Sequence, residues 1–274
     1  CVSLGFGCLE KIYKIGYKID LLITLEDKLA KRKSGRVYLD SFASKNKIEL
    51  IKCKNINESK IITKIIKSKI NFLFVIGWSQ ILKNEIISIP NLKIIGMHPT
   101  LLPKGRGRAS IPWAILKNLK VTGVTAFKID KDVDSGPIVL NHKVKISKNE
   151  NATTLYRKIS SAHQLLTKKI FILIKSNKLV FKKQNDRYAT YWKQRTPSDG
   201  KILHQMKLIQ VRKMHRALMH PYPGIFIILK NKKLLIKKLR YSNLFLEERL
   251  KILNNKIYFK LKDGYLIISK WKEI

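Results

Sequence analysis

Over the first two-thirds of the chain, short runs of consecutive apolar residues alternate with stretches whose apolar residues recur at helical spacing. This alternation constrains the fold more than any other feature. Residues 18–25, 48–51, 72–76 and 93–97 are the strand-like runs, and 37–45, 59–68 and 80–87 the helical ones between them. A strand that is apolar on both faces needs cover on both, and short strands separated by helices pair in parallel. The expected fold is therefore α/β, a mostly parallel sheet with helices on both faces. In such sheets ligands bind beyond the carboxyl ends of the strands. Gly77-Trp78-Ser79 follows one such end and His98 another. Residues 1–4 read as the tail of a strand, with a few preceding residues expected to be missing.

Further along, Ser110 reads as the N-cap of a short helix through Leu116, with Pro112 tolerated in its first turn. Residues 121–129 and 137–146 read as strands flanking a 130–136 loop. A long helix is expected over 153–175, with Leu155, Ile159, Ala162, Leu166 and Ile170 on one face. The pattern turns polar over 179–200, which sets the expected domains at 1–185 and 186–274. The second holds a helix near 206–218, a rigid Pro221-Tyr222-Pro223-Gly224 turn, and strand-like stretches at 225–229, 234–239, 257–261 and 265–268. That set suggests a small C-terminal β-barrel-like domain.

No run approaches the roughly 20 apolar residues of a membrane span, and no signal peptide is visible. Cys1, Cys8 and Cys53 lack metal-ligand spacing, so reduced thiols, no metal site and a cytoplasmic protein are expected. The formal net charge of +39 attracts polyanions. Yet lysine outnumbers arginine and is spread from end to end, as an A/T-rich coding sequence would produce. The expected basic surface is dispersed rather than focused.

The richest chemistry lies in His98-Pro99-Thr100-Leu101-Leu102-Pro103, followed by Lys104-Gly105-Arg106-Gly107-Arg108 and, downstream, Asp134-Ser135-Gly136. A neutral imidazole can take a proton from an attacking amine or relay one to a leaving nitrogen. A carboxylate beside it stabilises the protonated ring and fixes its tautomer. His98 and Asp134 are candidates for these roles. Arg106 and Arg108 read either as part of an anion-binding loop or as solvated loop cations.

The run from His98 through Arg108, with Trp113, Gly123-Val124-Thr125 and Asp134-Ser135-Gly136, resembles the 10-formyltetrahydrofolate-dependent formyltransferase family. The resemblance continues through Thr154-Leu155, Arg195-Thr196-Pro197-Ser198-Asp199, Arg216-Ala217 and Pro221-Tyr222-Pro223-Gly224, nearly the whole chain. It implies a Rossmann-like catalytic domain followed by a small β-barrel, and an enzyme that moves a formyl group from 10-formyltetrahydrofolate to a primary amine. His98 would transfer the proton and Asp134 would support it. Gln80, Ile81 and Leu82, with Asp130, Lys131, Asp132 and Val133, would line the folate pocket largely through backbone, and Arg108 would contact the cofactor. Trp78 reads as a core or lid aromatic.

One position departs from the family. Its members carry an asparagine two residues before the histidine, to stabilise the oxyanion of the tetrahedral intermediate, and this chain has Gly96. Losing such a donor costs on the order of 10²–10³ in rate. Backbone, water or another side chain could substitute, or the chain could be a non-catalytic binding homologue. The segment Arg106-Gly107-Arg108-Ala109-Ser110-Ile111-Pro112-Trp113 is more similar to the sugar-nucleotide enzymes, notably the one acting on UDP-4-amino-4-deoxy-arabinose, than to the tRNA type. The expected acceptor is therefore an amino-sugar nucleotide. The basic 28–36 loop and the charge keep methionyl-tRNA as the alternative.

Overall fold

In the computed structural model, which describes residues 1–31, 33–243 and 248–274, the chain divides into two compact units. Arg32, in the basic 28–36 loop, lies outside the described residues. Unit 1 comprises 1–110, 120–147 and 156–193, and unit 2 comprises 111–119, 148–155 and 194–274.

Unit 1 alternates as expected: α1 (Ser3–Lys14), β1 (Leu21–Leu25), α2 (Asp27–Ala30), α3 (Asp40–Lys45), β2 (Glu49–Cys53), α4 (Ser59–Lys67), β3 (Phe72–Ile76), α5 (Asn84–Ile87) and β4 (Lys93–His98). There follow β5 (Arg106–Gly107), α6 (Ser110–Leu116, lying mostly in unit 2), β6 (Val121–Lys128), β7 (Ile138–Lys145), α7 (Ala152–Lys175) and β8 (Tyr191–Trp192). β1 pairs in parallel with β2, and β3 with β4. β6 and β7 then add antiparallel strands, giving the order β3-β4-β6-β7. Between β1 and β3 lies a largely apolar cavity of about 390 Å3, whose walls include Leu22, Leu25, Phe74 and Ile76.

Two expectations need correcting. Residues 1–4 are not a strand tail, because α1 begins at Ser3 and Val2 makes only an isolated bridge to Arg36. Burial of Leu4, Cys8 and Ile12 follows the helical period, which the short apolar start conceals. The 80–87 stretch is helical only from Asn84. Its first half is drawn away by side chains: Gln80 donates to the Lys54 carbonyl and accepts from the Ile56 N–H, while Asn57 donates to the Ile81 carbonyl and accepts from the Lys83 N–H. Such side-chain-to-backbone bonds compete with helix formation.

The three cysteines are free, and burial pushes the Cys8 and Cys53 thiols up to about 11, which leaves them poorly nucleophilic. No helix among the described residues is long and apolar enough to cross a membrane, and no metal-binding cluster is found among them.

α7 buries His163, whose Nδ1–H donates to the Ile159 carbonyl at 2.8 Å. Desolvation holds this ring down to about 4, from 6.5. The unfolded chain therefore takes up the proton first as pH falls. Stability from this group is complete above about pH 6.5 and drops as pH approaches 4, by roughly 3 kcal/mol at most. Urea unfolding from pH 7 to 4 should show that slope, and His163→Leu should flatten it. The same slope in the variant would assign the effect elsewhere.

Unit 2 holds α8 (Leu208–Ala217) and the strands β9 (Phe226–Leu229), β10 (Lys232–Ser242), β11 (Leu250–Leu253), β12 (Lys256–Leu261) and β13 (Gly264–Glu273). They form one antiparallel sheet in the order β11-β12-β13-β10-β9, curled as a half-barrel. A register shift at Ile236–Leu239 against β13 marks a bulge, which bends β10. Val211, Met214, Ile227, Ile257, Leu266 and Ile268 form the core beneath α8. β11 was not legible in the sequence, since four residues, Leu-Lys-Ile-Leu, fit a helix or a strand equally well.

Candidate active site

β4 is buried along almost all its length and delivers His98 as its last residue, paired with Thr125 on β6. Thr125 ties down the segment that follows: its hydroxyl donates to the Thr100 carbonyl at 2.8 Å and accepts from the Leu102 N–H at 3.1 Å. The chain then turns back, so that the Gly105 carbonyl lies 2.8 Å from His98 Nε2. On the other side of the ring, Nδ1 lies 3.4 Å from Asp134 Oδ2. Both ring nitrogens face oxygen acceptors, and only an imidazolium donates to both at once. With Nε2–H held on Gly105, the neutral ring presents Nδ1 on the Asp134 side as its nitrogen without a hydrogen.

Ser110 is the first residue of α6 rather than the residue before it, and its buried hydroxyl lies 3.3 Å from His98 Nε2. The side chain read as a cap thus faces the imidazole.

Asp134 is placed by backbone. Its φ of +53° is unusual for a residue with a side chain. Its carboxylate also accepts the Gly107 N–H at 2.8 Å, which joins the Arg-Gly-Arg loop to the 130–136 loop. Asp130 closes that loop, accepting from the Ser135 hydroxyl and the Asp132 N–H. Lys131, Asp132 and Val133 are exposed at its tip.

The two arginines part company. Arg106 is not solvated: at 2% exposure it donates to Asp186 (2.6 Å), Gln184 (2.9 Å) and the Tyr191 hydroxyl (2.9 Å). The parallel pairing of β5 with β8 brings Tyr191 opposite it, a contact across 85 residues. It is therefore a structural cation, unavailable to an anion. Arg108 is exposed and donates to the Ser79 carbonyl at 2.7 Å, which brings it to the Gly77-Trp78-Ser79 corner.

Of the other segments tied by resemblance to the cofactor, Gln80 spends its side chain on the 54–56 backbone, Ile81 is 63% exposed, and Leu82 is buried. Leu82, Trp78 and Ile129 share one apolar cluster, so the 78–82 segment and the base of the 130–134 loop adjoin. Trp78 Nε1 is buried with no partner among the described residues. An apolar shelf, an unspent ring N–H and an exposed loop backbone suit a flat heteroaromatic ring carrying donors and acceptors.

Gly96 lies in regular β4, and the space its side chain would take is filled. A Cβ there would stand 2.9 Å from two carbons of the Phe127 ring and 3.1 Å from Ile129. Phe127 is its cross-strand partner.

The α/β sheet thus brings a histidine–carboxylate pair together beyond its strand ends. Residues 14–170 match the profile described as Formyl transferase, and residues 194–273 match Formyl transferase, C-terminal domain. The chain belongs to the formyl transferase family. It is 32% identical over 240 residues to the bifunctional polymyxin resistance protein ArnA of Wigglesworthia glossinidia brevipalpis, covering 88% of this chain but 37% of that protein. It thus spans little more than a third of that relative's length. It is 29% identical over 237 residues to the methionyl-tRNA formyltransferase of Caldanaerobacter subterraneus subsp. tengcongensis, covering 84% and 75% of the two chains. The fold is also that of the N-formyltransferase from Helicobacter canadensis, solved in complex with folinic acid and dTDP-3-aminofucose, with a TM-score of 0.67 and 22% identity over 98% of this chain and 96% of that one.

Proposed function

We propose that this chain transfers a formyl group from 10-formyltetrahydrofolate to a primary amine, and that the amine belongs to a nucleotide-linked amino sugar. The observation that carries this reading is the imidazole of His98, anchored through Nε2 on Gly105 and turned through Nδ1 towards Asp134. Bound 10-formyltetrahydrofolate supplies the formyl carbon that the amine attacks. Gln80–Leu82, Arg108 and the loop from Asp130 to Val133 hold the folate. His98 Nδ1 takes the proton that the amine sheds. It passes that proton to the folate nitrogen as the nitrogen's bond to the formyl carbon breaks and tetrahydrofolate leaves, with Asp134 stabilising the imidazolium between the two transfers. The Gly107 N–H keeps the carboxylate turned towards the ring.

The sugar acceptor is supported by the 106–113 segment and by the aminofucose nucleotide held in the Helicobacter canadensis structure. A second reading, with methionyl-tRNA as acceptor, is favoured by the +39 charge and the tRNA-formylating relative.

The test is an assay with 10-formyltetrahydrofolate and a panel of amines: UDP-4-amino-4-deoxy-arabinose, dTDP-linked 3-amino sugars and methionyl-tRNA. Formylated sugar nucleotide detected by mass spectrometry is the expected product. Efficient formylation of the tRNA alone would replace the sugar reading with the second one. No formyl amide from any acceptor, with folate still bound, would make the chain a binding homologue.

A further inference from the structure

We propose that Gln184 is a positioning residue that sets the Asp134 carboxylate against His98, with buried Arg106 as its anchor; the inference rests on the formyl-transfer reading above. Asp134 and Gly136 belong to a loop that has to be held. A positive φ at a residue with a Cβ is strained and persists only where the surroundings over-determine it. At Gly136 the loop comes so close to β6 that a Cβ would collide with the Lys128 carbonyl.

The amide of Gln184 meets that demand from one side. Its Nε2 donates to the Asp134 carbonyl at 2.9 Å and to the Gly136 carbonyl at 2.7 Å. Its Oε1 accepts from Arg106 at 2.9 Å. The orientation is unambiguous, since the flipped amide would face two carbonyls with its oxygen and the guanidinium with its NH2. Gln184 is 5% exposed and sits two residues past Lys182, which exchanges both backbone hydrogen bonds with Ile138 at the start of β7. Arg106 is fixed in turn by Asp186 and Tyr191. A continuous chain of bonds thus runs from Arg106 through Gln184 to the backbone of Asp134, and from the carboxylate of Asp134 to His98. Gln184 touches no reacting atom. It acts by fixing where the carboxylate points.

Gln184→Met keeps the length of the side chain and removes both donors. Relative to wild type, kcat is expected to fall roughly 10- to 100-fold. In an Asp134→Asn background the same change should cost almost nothing more, because the group it positions is gone. Imidazole 15N spectra read the geometry without turnover: the His98 Nδ1 resonance of the Gln184→Met protein should move towards its position in Asp134→Asn. If the Met variant does not fold, Gln184→Asn, which keeps an amide that cannot reach, carries the same readouts.

Equal kcat losses in the wild-type and Asp134→Asn backgrounds, or an unmoved His98 Nδ1 resonance, would overturn the role of Gln184. A wild-type protein that formylates no amine would overturn the functional reading instead, and the 15N experiment would still decide the positioning claim.

Discussion

His98→Ala is expected to bring formyl transfer close to background, a loss of about 10²–10⁴-fold, because it removes the imidazole that β4 delivers beside Asp134. Asp134→Asn is expected to be milder, on the order of 10²-fold. In triads where the carboxylate alone sets the tautomer, its loss also leaves the ring in the wrong form. Here the Gly105 carbonyl, 2.8 Å from Nε2, sets the tautomer from the other side, so the asparagine variant loses charge stabilisation but not ring orientation. Single-turnover rates for the two variants, with the amine that wild type accepts, check the ranking. Equal rates for wild type and His98→Ala would mean that catalysis does not pass through this imidazole.

The second large effect is expected at Gly96. Restoring the family's asparagine should not raise the rate. The obstacle is not the backbone, which is regular strand, but the Phe127 ring, 2.9 Å from the Cβ position and itself buried. Overpacking of this kind costs about 1–3 kcal/mol. Gly96→Asn should therefore lower the thermal midpoint and leave activity at or below wild type. Pairing it with Phe127→Val, which opens the space, should recover most of the stability. A Gly96→Asn protein as stable as wild type and faster would show that the pocket had room for the amide. Gly96 and Phe127 are complementary in size across β4 and β6.

The strand carrying His98 was legible because Ile94, Ile95 and Met97 form a continuous apolar run that must be buried, and the motif after it sits where a parallel strand ends. That Asp134 would lie beside His98 was implied by the resemblance of the motif series to the formyltransferases, and the two side chains are 3.4 Å apart. What escaped were features made by distant pairing. Arg106 reads as a loop cation until β5 and β8, two residues each, bring Tyr191, Asp186 and Gln184 around it. Strands so short carry no period, and a glutamine in a polar stretch gives no sign that it is buried. The 80–83 loop was read as helix for a related reason. Its apolar spacing is helical, but the bonds from Gln80 and Asn57 that undo the helix reach across about 25 residues.

The curled sheet of unit 2 ends, among the described residues, on β11 and β9, with Ile252, Leu253 and Ile228 exposed along them. An unpaired edge strand is a template for another copy of the same chain, although on the β9 side the Phe226 carbonyl already accepts the Ile202 N–H. Lys251, Lys256, Lys230, Lys232 and Lys233 stand in or beside those two strands. A positive charge repeated at the same places on every copy keeps two such borders apart at physiological salt. Part of the lysine excess that the coding sequence would explain thus stands where like charge opposes the pairing of two copies through these borders.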